Sequence, residues 1–223
     1  MKNNFNNIIA KKISKKNERV FLGNRTSHGF ISDPTSLSFR LSRYKFVSRM
    51  FEGFKDVLEV GAGDGFKSVI VKSKVKNLLL SDIEITNQED FENNSIKNRF
   101  NISYILHNFE KRKLKKFFDG IYMLDVFEHI NKKNEKYFLK NIIFSLKKNG
   151  SLIIGIPSLE SQRYASKFSK LGHVNCKTKD QLKKLLQKYF HNVFLFSMND
   201  EVLHTGYGPM SHYLFVLACS KIK

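Results

Sequence analysis

The sequence predicts an α/β fold, in which a mostly parallel sheet is covered by helices on both faces. A short apolar run bounded by charge, Asp56 to Val60, is typical of a buried parallel strand and breaks into a turn with glycine at alternate positions. A second apolar run, Leu78 to Leu80, follows a segment that can form a helix. Strand-like and helix-like segments then alternate to the C-terminus, which is the pattern of βαβ units.

Length and composition predict one domain with a sizeable core. The chain has 223 residues, of which 41% are hydrophobic, and no apolar stretch approaches the roughly 18 residues that a membrane helix needs. The N-terminus lacks the apolar segment of a secretory signal, and Cys176 and Cys219 form no disulfide or metal pattern. We therefore expect a basic, flexible tail at residues 1–25, a single domain at residues 26–223, no membrane span and a cytoplasmic location.

The net charge of +19 raises the question of a polyanionic partner. Lysine greatly outnumbers arginine, and asparagine, isoleucine and phenylalanine are also abundant. These residues share A/T-rich codons, so genome composition accounts for much of the excess. Arginine-rich patches with interleaved aromatic residues would argue better for nucleic acid. The sequence alone therefore leaves nucleic acid open without favouring it, and it leaves the oligomeric state open.

The turn after the first strand predicts a binding site for a nucleoside-containing cofactor. Gly61, Gly63 and Gly65 permit positive φ and a close approach of backbone N–H groups to a ligand. Asp82 lies 21 positions after Gly61, about where the second strand of a βαβ unit presents an acid to ribose hydroxyls. A dinucleotide fingerprint would need glycine where Phe66 stands, so a NAD-dependent dehydrogenase is disfavoured.

The pattern acid-x-Gly-x-Gly-x-Gly, from Glu59 to Gly65, resembles the first motif of the class I S-adenosylmethionine-dependent methyltransferases. The resemblance implies S-adenosylmethionine as cofactor and a Rossmann-like class I methyltransferase fold, with a seven-stranded, mostly parallel sheet and an antiparallel last strand. Asn108 stands where that family usually has an acid for the adenine amino group, and its side-chain carbonyl can still accept a hydrogen bond. The expected cofactor contacts are Glu59, Gly61, Ala62, Gly63, Asp64, Gly65, Asp82, Ile83, Asn108, Phe109 and Asp125.

The remaining elements follow in order along the chain. Asp33-Pro34 predicts a helix start, with aspartate as N-cap and proline first, and an apolar stripe carries that helix to Phe51. The polar stretch at residues 83–99 suits a surface helix or long loop, and Asn149-Gly150 ends a later helix. We predict strands at 102–106, 117–125, 151–156, 192–198 and 212–219, and further helices at 133–147 and 180–189.

The segment after the fourth strand carries a second resemblance. Asp125-x-x-Glu128-His129 and the later Pro157-Ser158 look like the ubiquinone-biosynthesis O-methyltransferase group. In that group a histidine shortly before the 180–189 helix often lies over the active site, and His173 stands in that region. Methylation of a hydroxyl benefits from a general base, for which histidine has a suitable pKa. His129 and His173 are therefore the catalytic candidates, each with a structural role as the alternative.

Substrate contacts are expected from two places. Glu128 follows the fourth strand, and Glu201, His204 and Tyr207 lie in the connection at residues 199–210. That connection is longer than a simple hairpin needs, so we interpret it as a substrate loop.

A metal site is the sharper alternative for the same region. Asp125, Glu128, His129 and His173 resemble the two acids and two histidines of small-RNA 2′-O-methyltransferases, in which a metal binds the terminal ribose hydroxyls. Such an oxygen-and-imidazole set is chemically plausible. Relatives with small-molecule substrates share the Glu-His segment, however, so the sequence assigns no metal ligand.

The sequence thus predicts methyl transfer from S-adenosylmethionine to a small molecule or glycan, on oxygen. Two alternatives stay open: a metal-using RNA methyltransferase of the 2′-O type, and a non-catalytic Rossmann-like binding protein. Fold-level analogy cannot name the acceptor.

Overall fold

The computed structural model describes residues 6–12 and 20–222. Residues 6–12 are helical and exposed, and residues 1–5 and 13–19 of the predicted tail lie outside the described part of the chain. The first helix after them begins at Asn24, within the tail that the sequence predicted at residues 1–25. Within the described residues, no helix is long and apolar enough to cross a membrane.

A single twisted sheet of eight strands organises the molecule, in the order β3-β2-β1-β4-β5-β8-β6-β7. Strands β1 to β5 are mutually parallel along this order, while β8 runs antiparallel to both β5 and β6. This confirms the predicted Rossmann-like arrangement with its antiparallel last strand. The strands are β1 Asp56–Val60, β2 Asn77–Asp82, β3 Ser103–Leu106, β4 Phe118–Leu124, β5 Leu146–Pro157, β6 Phe190–Asn199, β7 Val202–His204 and β8 Tyr213–Lys221.

The eighth strand corrects the predicted count of seven. Asp200, at φ +51°, turns the chain back on itself, so that Met198 pairs with Leu203 and β7 adds to β6 at the sheet edge. Much of the connection interpreted as a substrate loop is therefore a hairpin. The prediction missed it because a three-residue strand is too short to show a period.

Helices cover both faces of the sheet, as the βαβ pattern requires. Neighbouring residues of β4 divide between two cores: Ile121 and Met123 pack on one face, Tyr122 and Leu124 on the other. The helices are α1 Asn24–Ser32, α2 Pro34–Met50, α3 Val69–Lys72, α4 Ile85–Glu92, α5 Ile96–Phe100, α6 Glu135–Phe144, α7 Lys167–Gly172 and α8 Lys179–Leu186.

Two helix boundaries test the sequence reading. Asp33 caps α2 as predicted, because its side chain accepts hydrogen bonds from the backbone of Thr35 and Ser36. The predicted extension of α6 to Lys147 is wrong. Leu146 instead begins β5, where it pairs with Phe118 and is fully buried. An apolar residue at that point fits a helix face and a strand equally, and only the sheet partner decides between them.

Candidate active site

A cavity of about 640 Å³ lies at the carboxyl ends of β1, β2 and β4, which is where open α/β sheets bind ligands. Its walls come from two groups of residues. We call one the glycine-turn half, lined by Gly61, Ala62, Gly63, Asp82, Ile83, Asn108 and Phe109. We call the other the histidine half, lined by Arg40, Arg43, Asp125, Glu128, His129, His173 and Tyr213.

The glycine turn has the backbone that its sequence predicts. Gly61 has φ +76° and Gly63 has φ +60°, a region that disfavours any other residue. A Cβ at Gly61 would also lie 2.2 Å from Cγ2 of Val126, which follows β4. The turn therefore brings the backbone against the neighbouring strand end, where the N–H groups of Gly61 and Ala62 donate to the carbonyl oxygen of Ser81.

Asp82 lines the cavity and also holds the turn. Its Oδ2 accepts a hydrogen bond of 2.9 Å from Gly63 N, while Oδ1 accepts from the backbone of Ile83 and Glu84. Each carboxylate oxygen has two lone-pair sites, so the group retains capacity for a ligand hydroxyl. Glu84 lines the cavity two residues later and is a second acid for that role. Sequence reasoning missed it, although its spacing from Asp82 was a usable signal.

Glu59 does not line the cavity. Its side chain is fully buried and accepts hydrogen bonds of 2.7 Å from Tyr44 Oη and 2.5 Å from Tyr122 Oη. Burial raises the pKa of Glu59, and the hydrogen bonds from Tyr122 and Tyr44 oppose that rise. The motif's leading acid thus braces α2 against β1 and β4, directly beneath the glycine turn.

Asp64 and Gly65 also lie outside the cavity. The Asp64 carboxylate accepts hydrogen bonds from Thr26 N at 2.6 Å and from Thr26 Oγ1 at 2.9 Å, all in buried surroundings. Gly65 faces Phe91 in the core, where a Cβ would come within 2.7 Å of the ring. Asp64 therefore fastens α1 across the turn, and this places Arg25 at the cavity wall.

The segment after β3 brings three consecutive residues to the cavity. Asn108 lies at the wall, but its Oδ1 already accepts a hydrogen bond of 2.8 Å from Glu110 N, which leaves the amide nitrogen free to donate. Phe109 is buried beside it and packs edge-on against His107 at 4.4 Å between ring centroids. His107 lines the cavity as well, and burial lowers its pKa. No pattern in the sequence marked His107 as a cavity residue.

Asp125 faces the cavity with φ +57°. Arg43 of α2 donates to both of its carboxylate oxygens, at 2.9 and 2.8 Å, and stacks over the ring of Tyr213 at 3.8 Å. Nε of Arg43 and Oη of Tyr213 are buried, and neither has a hydrogen-bond partner among the described residues. Because these groups come from α2, β4 and β8, no local pattern in the sequence could join them.

His129 and His173 meet at the cavity with their rings 5.2 Å apart. His129 Nδ1 lies 2.9 Å from the carbonyl oxygen of Gly172, and His173 Nδ1 lies 2.8 Å from Oε1 of Gln162. Both partners are acceptors, so Nδ1 is the donor in each pair, and in the neutral form of each ring the lone pair is on Nε2. Burial lowers the pKa of His173, which favours this neutral form, and the nearby His129 adds to the effect.

Glu128 lies beside the two histidines and is almost fully buried. Its Oε1 is 4.0 Å from Nε2 of His129, and its Oε2 has no hydrogen-bond partner among the described residues. Burial raises the pKa of Glu128 well above its usual range, and the charge of Asp125 raises it further.

The ligand atoms of Glu128, His129 and His173 lie within 4.8 Å of one another, as in a metal-binding cluster. Two imidazole lone pairs and one carboxylate are a donor set that suits a divalent ion. The sequence raised a metal site only as an alternative and assigned no ligand, and the fold brings three members of that alternative set together. Asp125, the fourth member of the alternative set, is held by Arg43 instead.

The other predicted substrate residues lie apart from the cavity. Glu201 accepts a hydrogen bond of 2.7 Å from Ser38 of α2, and His204 Nδ1 accepts one from Gly206 N. Tyr207 is 71% exposed. The nearest connection is indirect, because Asn199 accepts a hydrogen bond from the backbone of His212, which lines the cavity.

Comparisons with known proteins agree with this geometry. A family model described as a methyltransferase domain matches residues 37–190, more than half of the chain. The ubiquinone biosynthesis O-methyltransferase of Rickettsia canadensis (strain McKiel) is 27% identical over 113 residues, which are 51% of this chain and 45% of that protein. The match thus spans about half the length of this curated relative.

Solved structures share the fold at low sequence identity. The N-methyltransferase NodS from Bradyrhizobium japonicum WM9, in complex with S-adenosyl-L-homocysteine, has a TM-score of 0.61 at 16% identity and covers 81% of this chain and 85% of its own. The plantazolicin methyltransferase BpumL has a TM-score of 0.65 at 15% identity, covering 88% and 89%. At this identity the likeness shows the fold alone.

Proposed function

Since the chain belongs to the methyltransferase-domain family and is an S-adenosylmethionine-dependent methyltransferase, we propose that it methylates a hydroxyl group of a small molecule or glycan. One observation carries the proposal. Both histidines of the histidine half line the same cavity as the glycine turn, and each has a hydrogen-bond acceptor at Nδ1, which makes Nε2 the basic nitrogen of the neutral ring. A hydroxyl acceptor needs such a base, whereas a neutral amine already carries its lone pair.

The glycine-turn half offers the groups that a nucleoside needs. Asp82 and Glu84 present carboxylates for ribose hydroxyls, and Asn108 with Phe109 offers an amide and an aromatic edge for a base. Arg25 and Lys67 border the turn and can pair with the carboxylate of the amino-acid portion. When bound there, S-adenosylmethionine supplies an already activated methyl group on a sulfonium.

The chain's own contribution is alignment, proton removal and exclusion of water. Nε2 of His129 or His173 accepts the hydroxyl proton as the acceptor oxygen bonds to the methyl carbon. The carbon–sulfur bond breaks in the same displacement, and its electron pair stays on sulfur as S-adenosylhomocysteine leaves. Gly172 and Gln162 keep each imidazole in the tautomer that this step requires.

The first experiment is calorimetric titration with S-adenosylhomocysteine, with NAD as the control ligand and Gly63→Arg as the control variant. A Cβ at Gly63 would lie no closer than 3.7 Å to its nearest neighbour, Cδ of Arg25, so an arginine there crowds the cavity wall without a clash in the core. Because the φ of +60° strains any residue other than glycine, circular dichroism must first show that the variant is folded. We expect micromolar-range binding of S-adenosylhomocysteine, no binding of NAD, and loss of binding in the variant. If neither ligand binds, the result would favour the non-catalytic binding protein instead.

A labelled methyl donor then identifies the acceptor class. We expect transfer to hydroxyl-bearing small molecules or glycans and none to analogues in which the hydroxyl is replaced by hydrogen. Transfer confined to amines would contradict the assignment to oxygen.

A second candidate is a metal-dependent methyltransferase of the RNA 2′-O type, and the cluster of Glu128, His129 and His173 favours it. The three residues would hold the ion, which supplies Lewis acidity toward a vicinal diol. Chelator treatment tests this candidate. Activity that a chelator abolishes and Mg²⁺ or Mn²⁺ restores would support it, while chelator-resistant activity would leave the histidines as bases.

A further inference from the structure

One exposed face outside the cavity combines cations with aromatic rings. It is formed by α6 and by the segment before β4, which lie side by side. We call it the α6 stripe, and its members are Lys111, Lys113, Phe117, Lys136, Tyr137, Lys140 and Phe144.

Direct contacts hold the two parts of the stripe together. Tyr137 Oη lies 3.4 Å from the carbonyl oxygen of Lys111, and Nζ of Lys113 lies 4.1 Å above the ring of Phe144. Phe117 packs against Phe144 with ring centroids 5.8 Å apart. On α6 itself, residues 136, 140 and 144 follow at four-residue spacing and therefore share one face. Cations and rings thus alternate across a single surface.

The rings are exposed rather than buried in the core. Phe117 is 54% exposed, Tyr137 is 53% exposed and Phe144 is 36% exposed. Three partly exposed aromatic rings on one face form a platform on which flat groups can stack.

The negative charges of this region are all engaged elsewhere. Residues 111–144 contain nine lysines and arginines and four acids. Among the described residues, none of those nine cations forms an ion pair. The acids are turned away: Asp119 pairs with Lys147, Asp125 with Arg43, Glu135 with Lys177, and Glu128 is buried.

This segregation bears on the origin of the net charge. Codon bias adds lysines and phenylalanines throughout a sequence, but it does not separate the lysines from the acids on one surface. From the stripe we propose that this protein binds a single strand of nucleic acid along α6, with phosphates on the lysines and bases stacked on the rings. The upper end of the stripe adjoins Glu110, which lines the cavity, so a bound strand reaches the cavity rim.

The test is fluorescence anisotropy with a labelled oligouridylate of about a dozen nucleotides, within the site sizes typical of such surfaces. Binding is measured without cofactor, so its outcome is independent of the methyl-transfer assignment. We expect affinity to fall steeply with salt, because lysines displace counterions from the phosphates.

Two matched double substitutions distinguish binding at the α6 stripe from nonspecific attraction to positive charge. Lys113→Gln with Lys140→Gln removes two stripe cations, and Lys183→Gln with Lys184→Gln removes two exposed cations of α8. We expect the stripe pair to weaken binding at least fivefold and to lower the salt slope by about 1.4, which is roughly 0.7 for each lost phosphate contact. The α8 pair should change affinity less than twofold. Equal losses in both pairs would overturn the proposal.

An abasic oligomer of the same length separates the contribution of base stacking on the aromatic rings from that of the phosphate contacts. The double substitution Tyr137→Ser with Phe117→Ser should lower the affinity for the oligouridylate by about fivefold or more, since each stacked base contributes measurably to affinity. The same variant should leave the abasic oligomer unchanged. Equal binding of the two ligands by the unaltered protein would overturn the stacking arrangement. Stripe-dependent capture of phosphatidylglycerol vesicles without oligouridylate binding would assign the surface to an anionic membrane instead.

Discussion

The two halves of the cavity are built in different ways. The glycine-turn half comes from residues that follow β1, β2 and β3 and is fixed by hydrogen bonds such as Gly63 N to Asp82 Oδ2. The histidine half joins α2, the end of β4, the segment before α8 and the start of β8. Its contacts, Arg43 with Asp125 and His129 with Gly172, connect residues 82 and 43 positions apart.

This difference separates binding from chemistry. A half made of backbone turns tolerates few substitutions, since its shape depends on positive φ at Gly61 and Gly63. In a half made of side chains from distant parts of the sequence, substitutions can change the specificity for the methyl acceptor while the fold stays the same. Variants in one half should therefore leave the function of the other largely intact.

The largest expected effect is on methyl transfer. His129→Ala should lower the rate constant by about 10²–10⁴, because it removes a positioned base. The affinity for S-adenosylhomocysteine should stay within about twofold, since the glycine-turn half keeps its contacts. Rate and affinity are measured on the same preparation, with His191→Ala on exposed β6 as the control histidine. A parallel loss of cofactor affinity would contradict the division into halves.

A stability effect should follow from Glu59→Ala. The change leaves the buried hydroxyls of Tyr44 and Tyr122 without their acceptor, at a cost of about 1–3 kcal/mol for each. Urea denaturation should show the loss in unfolding free energy, whereas Glu52→Ala, at an exposed acid, should show little. Cofactor affinity of the folded variant should change less than about threefold. A much larger loss would mean that Glu59 contacts the ligand after all.

A smaller loss should come from Thr26→Val. Valine keeps the shape and the backbone hydrogen bond to Asp64 but removes the one from Oγ1, a change worth about 1 kcal/mol. Hydrogen exchange should report faster opening of α1 alone. Thr35→Val at the exposed start of α2 is the matched control, and equal opening in both variants would argue against Asp64 as the fastening point.

The smallest effect concerns the titration of His173. Its folded pKa lies below the usual value of 6.5, chiefly through burial, so the unfolded chain binds more protons at mildly acidic pH. Its contribution to stability is complete above the unfolded pKa and is lost as pH falls from there through the folded pKa. NMR titration of the metal-free protein should show the His173 ring protonating below pH 6.5. A midpoint above 6.5 would contradict the buried, neutral assignment.

The sequence predicted most of the fold because its signals are local. The Asp33 cap, the apolar run of β1 and the spacing from Gly61 to Asp82 each depend on a few neighbouring residues, and all were confirmed. The predictions that failed needed a partner strand. Leu146 joined β5 rather than α6, and β7 formed from a stretch too short to show a pattern.

Within the site, the structure places some of the predicted residues at the cavity and others behind it. Gly61, Gly63, Asp82 and Asn108 line the cavity as expected. Glu59 and Asp64 do not, because the turn directs their carboxylates backward, onto tyrosines and onto α1. Arg43 and Tyr213 escaped notice, since their significance lies in touching Asp125 and each other.

The sequence by itself predicted the alternating α/β elements and the glycine turn, because apolar period and glycine φ are properties of short segments, and its resemblance to known families predicted the methyltransferase fold and the two histidines. Only the tertiary structure decided which acids brace and which face the cavity, which imidazole nitrogens are free, and where the lysines gather around exposed rings. Those features depend on distances between residues far apart in the chain, and such distances exist only once the two cores have packed against the sheet.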